Sequence, residues 1–68
     1  MTQQTYTVTG MTCEHCVRSV SEEVGEIPGV TGVAVDLPTG KVTVTSEQEL
    51  TTDAVRAAVE EAGYQLTA

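Results

Sequence analysis

Residues 17–25 of the chain read V-R-S-V-S-E-E-V-G, and residues 55–63 read V-R-A-A-V-E-E-A-G. Five of these nine positions are identical at an offset of 38 residues. In both segments apolar side chains recur at three- and four-residue steps, the period of a helix with one buried face. A glycine closes each segment, as at many helix ends. The pattern predicts helices over about 14–25 and 52–62, and it fits either a duplicated unit or two separate helices of similar design.

The stretches around these helices alternate polar and apolar residues, as half-buried strands do. We predict strands over 5–9, 30–37 and 41–45, and a short last strand over 64–67. Residues 37–40 (L-P-T-G) place proline second and glycine fourth, the pattern of a type I turn between the second and third strands. The element order β-α-β-β-α-β predicts an α+β two-layer sandwich, in which a four-stranded antiparallel sheet carries both helices on one face. The other face should be rich in threonine and meet water.

Length and charge narrow the range of functions. Sixty-eight residues predict one small domain over 1–68 with a thin core. The net charge is −7 and three residues are basic, which argues against nucleic acid as a partner because phosphate binding needs clustered Lys and Arg. No apolar run approaches the ~20 residues of a membrane helix, and no signal segment opens the chain. We therefore expect no membrane insertion and a cytoplasmic location.

Residues 10–16 (G-M-T-C-E-H-C) contain both cysteines, the single histidine and one of the two methionines. In a reducing cytosol, two cysteines three positions apart form a metal or redox site more often than a structural disulfide. The redox alternative is a thioredoxin-like reductase, but the chain lacks a tryptophan beside the motif and is too short for that fold. Cys13 and Cys16 are therefore the candidate metal ligands.

The number of ligands narrows the choice of metal. Structural zinc takes four ligands, whereas this chain offers two thiolates, one imidazole and a weak thioether. The His15 side chain should point away from the cysteines on a helix start. Two soft thiolates alone suit a two-coordinate soft ion, of which Cu(I) is the abundant biological example. With metal–sulfur bonds of roughly 2.3 Å, a near-linear S–Cu–S unit needs sulfurs about 4.6 Å apart. Its open coordination would admit a thiolate from another protein.

The two cysteines should differ in their surroundings. Cys16 lies in the first turn of the predicted helix, where unpaired amides and the helix dipole favour a thiolate. Cys13 lies on the preceding loop. We predict a depressed pKa for Cys16, and a Cys13 that is more exposed and more mobile.

Three further residues have open roles. Met11 fits a core filler better than a ligand. His15 is either a solvent-exposed residue at a helix start or a group that tunes the cysteines, and it could become a ligand in a dimer that holds several coppers. Tyr64 is either part of the core or a group beside the metal.

Residues 10–16 resemble the G-M-T-C-x-x-C signature of the heavy-metal-associated domain. The whole chain is similar to small bacterial copper chaperones of the CopZ type in its length, its element order and the tyrosine just after the second helix. The resemblance implies a ferredoxin-like fold, Cu(I) bound by Cys13 and Cys16, and delivery to a copper-exporting P-type ATPase. It also implies that copper-bridged homodimers form, that Met11 anchors the loop from beneath and that Tyr64 lies beside the metal.

These observations together predict a cytosolic Cu(I) metallochaperone that is not an enzyme. One alternative is a carrier of mercury or another soft metal with the same fold, which the lack of an export signal disfavours. The other alternative, from a different class of protein, is a small thiol–disulfide oxidoreductase.

Overall fold

A computed structural model describes residues 1–67 of the chain. Its elements follow the order β1 (Thr2–Thr9), α1 (Glu14–Gly25), β2 (Val30–Asp36), β3 (Lys41–Ser46), α2 (Thr52–Glu61) and β4 (Gln65–Leu66). The strands form one antiparallel sheet in the order β2-β3-β1-β4. The predicted α+β sandwich of β-α-β-β-α-β order is thus confirmed. Within residues 1–67, neither helix is long and apolar enough to span a bilayer.

The core lies between the central strands and the two helices. Because side chains alternate along a strand, Tyr6 and Val8 of β1 point to the same side as Val42 and Val44 of β3. The buried apolar residues are Tyr6, Val8, Val20, Val24, Val42, Val44, Val55, Val59 and Leu66. Most of them are valines, which pack well on a pleated sheet. Two valines from each helix stripe complete this core.

The opposite face of the sheet carries threonines, as predicted. Thr5 and Thr9 are exposed, and the remaining three, Thr7, Thr43 and Thr45, are half-buried. The hydroxyls of Thr5 and Thr43 lie 3.4 Å apart across the β1–β3 pair. Water therefore reaches this face of the sheet, while the helices cover the other.

The first strand begins at Thr2, three residues earlier than predicted. The added residues Thr2–Gln4 pair with the end of β3, and the Gln4 side chain forms hydrogen bonds of its own. Its amide group donates to the Leu50 carbonyl at 3.2 Å and to the Tyr6 hydroxyl at 2.8 Å, and its carbonyl oxygen accepts from the Leu50 amide at 2.9 Å. A polar side chain on the core side is tolerated because its hydrogen bonds are made.

The turn between β2 and β3 is wider than predicted. The strand β2 ends at Asp36, one residue before the predicted end, and Leu37 lies in the turn. The Gly40 amide donates to the Asp36 carbonyl at 2.8 Å, whereas a type I turn over 37–40 would direct this bond to Leu37. The turn therefore closes over one more residue, and Gly40 adopts a left-handed conformation with φ of +74°.

Strand register brings three loops to one end of the molecule. In the sheet, Thr7 pairs with Lys41 at the start of β3, and Thr9 pairs with Gln65 at the start of β4. The β2–β3 hairpin and the α2–β4 loop therefore lie beside the loop that follows β1. That loop carries the cysteine motif, so all three loops surround the same end of the sheet.

Gly40 fixes the hairpin against the central strand. Its carbonyl accepts a hydrogen bond from the Val8 amide at 2.8 Å. A Cβ atom at position 40 would lie 2.6 Å from the Val8 carbonyl oxygen, which is backbone and cannot move aside. Both the left-handed φ and this close approach require glycine.

We expect Gly40→Ala to destabilise the fold by about 3 kcal/mol, because left-handed strain of about 1–2 kcal/mol adds to an overpacking cost. Gly29→Ala is the matched control: Gly29 has a φ of +94°, and nothing lies within 4 Å of its Cβ position. It should cost the strain alone. Urea unfolding followed by circular dichroism measures both free energies. Equal losses of unfolding free energy in the two variants would show that the close approach of Gly40 to Val8 does not contribute to the cost.

Candidate metal centre

The cysteine motif lies where β1 passes into α1. Gly10 ends the strand in a left-handed conformation with φ of +97°. Cys13 is the N-cap residue of α1 and has an extended backbone, with φ of −156° and ψ of 172°. Its carbonyl accepts hydrogen bonds from the amides of Cys16 at 3.0 Å and Val17 at 3.2 Å. Its side chain makes no capping hydrogen bond, so the sulfur takes no part in holding the helix end.

The two sulfur atoms lie close together without a bond between them. Cys13 Sγ and Cys16 Sγ are 3.6 Å apart, well beyond the ~2.05 Å of a disulfide. Cys13 is exposed and Cys16 is half-buried, which agrees with the predicted difference in exposure. The separation is about 1 Å less than a near-linear two-sulfur complex requires. The sulfurs would therefore have to move apart to hold a metal in that geometry.

The pKa of Cys16 is lowered to about 6, in the direction predicted. The largest cause is a hydrogen bond from the Thr12 backbone, followed by hydrogen bonds from the side chains of Tyr64, Cys13 and Thr12. The Thr12 hydroxyl lies 3.8 Å from Cys16 Sγ. The cause therefore differs from the one we expected: the loop before the helix supplies the main donor. At neutral pH Cys16 is mostly a thiolate, the form that binds metal.

Tyr64 lies beside the cysteines, brought there by the α2–β4 loop. Its ring rests against Gly10, where an added Cβ atom would lie 3.2 Å from Tyr64 Cδ1. The pKa of Tyr64 is raised, first by its hydrogen bond with Cys16 and then by burial and the negative charge of the two thiolates. Tyr64 is also half-buried and packs against the core, which is one of the two roles considered for it. Its role beside a metal stays a prediction.

Met11 and His15 differ in how far they are buried. Met11, in the loop between β1 and α1, is half-buried and packs against the core. His15 is exposed in the first turn of α1, and its backbone carbonyl accepts a hydrogen bond from the Ser19 hydroxyl at 3.2 Å. Across residues 1–67, no group of three or more His, Cys, Asp or Glu side chains is placed to hold a metal ion. The structure thus brings Cys13, Cys16 and Tyr64 together, and within residues 1–67 no further His, Cys, Asp or Glu side chain completes a group of three with the two cysteines.

Thr12 is a neighbour of Cys16 that the sequence analysis missed. A hydrogen bond from its backbone lowers the pKa of Cys16, and its hydroxyl lies 3.8 Å from Cys16 Sγ. A signal was present, because Thr12 precedes the motif directly and stands four positions before Cys16. Threonine hydroxyls close to a helix start often form hydrogen bonds with neighbouring groups.

Comparison with known proteins gives one consistent result. Residues 5–65 match the model of the heavy-metal-associated domain. The chain is 40% identical over 67 residues to the copper chaperone CopZ of Bacillus subtilis, and the match covers 97% of each protein. It is 44% identical over 57 residues to copper-transporting ATPase 2 of Rhizobium meliloti, covering 84% of this chain and 7% of the ATPase.

The fold agrees with that of a solved relative. A structure of a CopZ metallochaperone superposes with a TM-score of 0.90 at 31% identity, covering 97% of this chain and 100% of that one. Fold, motif and sequence similarity therefore coincide over nearly the whole chain. The chain belongs to the heavy-metal-associated domain family.

Proposed function

We propose that this protein is a cytoplasmic copper chaperone that holds Cu(I) between the thiolates of Cys13 and Cys16 and passes it to a copper-transporting P-type ATPase. The observation that carries the proposal is the pair of unlinked sulfur atoms, 3.6 Å apart at an exposed helix start. The 40% identity to a copper chaperone over nearly the full length supports copper as the cargo. The protein would act by binding and release, without catalysing a reaction.

The donor set fits Cu(I) on chemical grounds. Thiolates are soft ligands and select soft, low-coordinate ions. The lowered pKa of Cys16 means that one thiolate is already formed near neutral pH, so an arriving ion has to displace fewer protons. Cys13 lies outside the helix and its side chain is free of capping bonds. Rotation of this side chain would widen the sulfur separation without disturbing the helix.

The exposure of the site supports transfer by ligand exchange. A two-coordinate ion has room for a third thiolate, and Cys13 faces solvent where an incoming thiolate can reach it. In each exchange a new metal–sulfur bond forms as an old one breaks, so the ion never leaves sulfur coordination. A segment of a copper-transporting ATPase is 44% identical to this chain over 57 residues, which supports such an ATPase as the recipient. Two copies of the chain could share copper in the same way and form a copper-bridged homodimer.

Substitution of either cysteine should abolish competitive copper binding. We expect Cys13→Ser and Cys16→Ser to weaken Cu(I) affinity by more than about 100-fold, since loss of a supporting group alone costs 10–100-fold. His15→Ala should change affinity by less than about tenfold, because His15 is an exposed neighbour rather than a ligand. Titration against a coloured Cu(I) chelator, with the mass of each complex recorded, measures affinity and stoichiometry. Wild-type affinity in Cys16→Ser would refute the two-thiolate site.

The reactivity of Cys16 should follow its lowered pKa. In the folded protein we expect half-maximal alkylation of Cys16 near pH 6, and in urea near the ordinary value of ~8.5. Below about pH 6 protons compete for this thiolate, so Cu(I) affinity should fall as the solution becomes more acidic. Tyr64→Phe removes a hydrogen-bond donor and should raise the midpoint.

Tyr6→Phe is the matched control for that substitution. It removes the other tyrosine hydroxyl, which is bonded to Gln4 inside the fold and has no part in lowering the pKa of Cys16. Mass spectrometry of the alkylated peptides across pH gives each midpoint. The same midpoint for Cys16 in the folded and the urea-unfolded protein would contradict the assigned hydrogen bonds.

A further inference from the structure

The strand β2 forms an open edge of the sheet. Within residues 1–67 its one partner strand is β3. Residues 30–35 (V-T-G-V-A-V) contain neither proline nor a charged residue, which are the residues that commonly keep an exposed edge from pairing. A bulge interrupts the ladder only near the start of the strand, between Val30 and Gly32. The rest of this edge is therefore suited to pairing with a further strand.

The hydrogen-bond pattern shows which backbone groups of β2 lie at the open edge. The Gly40 carbonyl accepts from the Val8 amide, so Gly40 faces β1. Because backbone groups alternate between the two sides of a strand, the even-numbered residues of β3 also bond to β1, and the odd-numbered ones bond to β2. The β2 partners of those odd-numbered residues are Gly32, Ala34 and Asp36. The amide and carbonyl groups of Val33 and Val35 therefore point away from β3.

A groove of about 280 Å³ lies beside this edge, between α1 and β2. Its lining residues are Ser21, Gly25, Val30, Thr31, Gly32 and Val33. The small residues of α1 keep it open, since a Cβ atom on Gly25 would meet nothing within 4 Å. Alternate side chains of a strand added to β2 would extend the helix-covered face of the sheet and enter the groove. Its volume lies below the ~300 Å³ at which small-molecule sites begin, so it suits a side chain better than a cofactor.

The rim of the groove is negatively charged. Glu22 and Glu26 lie on either side of Gly25 in the sequence, and both are exposed. The last turn of α1 contains no basic residue, although the carboxyl end of a helix favours one. No ion pair among residues 1–67 involves either glutamate, and Arg18, the one basic residue of α1, lies a turn before Glu22. A cation from another molecule would complement this rim.

We propose that the β2 edge docks an extended segment of another protein that carries lysine or arginine, and that this segment adds a fifth strand to the sheet. Backbone bonds to Val33 and Val35 would supply affinity, while a side chain in the groove and a cation beside Glu22 would supply selectivity. A second copy of this chain is disfavoured as the occupant because each copy carries a net charge of −7. The groove adjoins the end of α1 and the cysteines lie at its start, so docking would leave Cys13 exposed.

The test uses the copper-free protein, so its result does not depend on the proposed function. The probe is a synthetic peptide in which lysine and valine alternate over seven residues, the length of β2. At saturation, solvent exchange of the Val33 and Val35 amide protons, followed by NMR, should slow by roughly tenfold because these amides gain hydrogen bonds. A peptide with glutamate in place of lysine, or with proline at its centre, should cause no slowing. Slowing by either control peptide would overturn the proposal.

The free protein provides a second observation that needs no variant. The amides of Val33 and Val35 should exchange faster than that of Ala34, which bonds to β3. Equal protection of the three amides in the free protein would show that this edge is already covered. Self-association through β2, detected by sedimentation and lost on substitution of Ala34 by lysine, would also overturn the proposal.

Filling the groove should block the peptide. Gly25→Leu places a side chain in the groove at a helical position that has room for it, and it should weaken binding by about fivefold or more. Ala57→Leu adds the same side chain to an exposed position of α2 and should leave binding unchanged. Equal binding by the two variants would show that the groove takes no part.

The charge on the rim is tested in the same way. Glu22→Gln combined with Glu26→Gln should weaken peptide binding by about threefold, the scale of exposed ion pairs. Glu60→Gln combined with Glu61→Gln makes the same change in net charge at the end of α2, and at physiological ionic strength it should have no effect. Equal weakening by both double variants would show that net charge alone attracts the peptide, which would contradict a docking site at β2.

Discussion

The Cys13 carbonyl accepts the first hydrogen bonds of α1 while the Cys13 side chain accepts none. The separate roles of the Cys13 carbonyl and the Cys13 side chain are the constraint on which the site depends. At many helix starts the side chain of the N-cap residue accepts a hydrogen bond from a backbone amide. Here the carbonyl alone begins the helix, and the sulfur stays free for an external ligand. Helix formation thus places Cys13 and Cys16 side by side without using the Cys13 sulfur to cap the helix.

The scaffold around this point is arranged to hold the loop from three directions. The central strand β1 leads into the loop and is paired on both sides, with β3 and β4. The β2–β3 hairpin is held to the same strand by the hydrogen bond that the Val8 amide donates to the Gly40 carbonyl. On the third side, the Tyr64 ring of the α2–β4 loop packs against Gly10.

The two halves of the fold illustrate how similar backbones can differ in function. At the start of α2, Thr51 occupies the position that Cys13 holds before α1, and its hydroxyl accepts a hydrogen bond from the Ala54 amide at 3.2 Å. That helix therefore has the ordinary side-chain cap. The N-cap side chain of α2 thus stabilises its helix, whereas the N-cap side chain of α1 carries a sulfur that makes no capping hydrogen bond.

Most of the fold could be predicted from the sequence because it rests on local patterns. Alternation and the helical period located the strands and helices, and the spacing of Cys13 and Cys16 located the site. The misses have a different origin. The early start of β1 depends on Gln4 meeting Leu50, and the wider turn depends on how Gly40 meets Val8. Each is a contact between segments distant in the chain, which local pattern does not encode.

The central claim is that the metal is held by two thiolates and by no other donor of this chain. X-ray absorption spectroscopy of the protein carrying one Cu(I) per monomeric chain tests it directly, because the spectrum reports the number and type of coordinating atoms. The account predicts two sulfur donors, and a spectrum that His15→Ala and Met11→Leu leave unchanged. A nitrogen donor that disappears in His15→Ala, or a third sulfur donor that disappears in Met11→Leu, would contradict it.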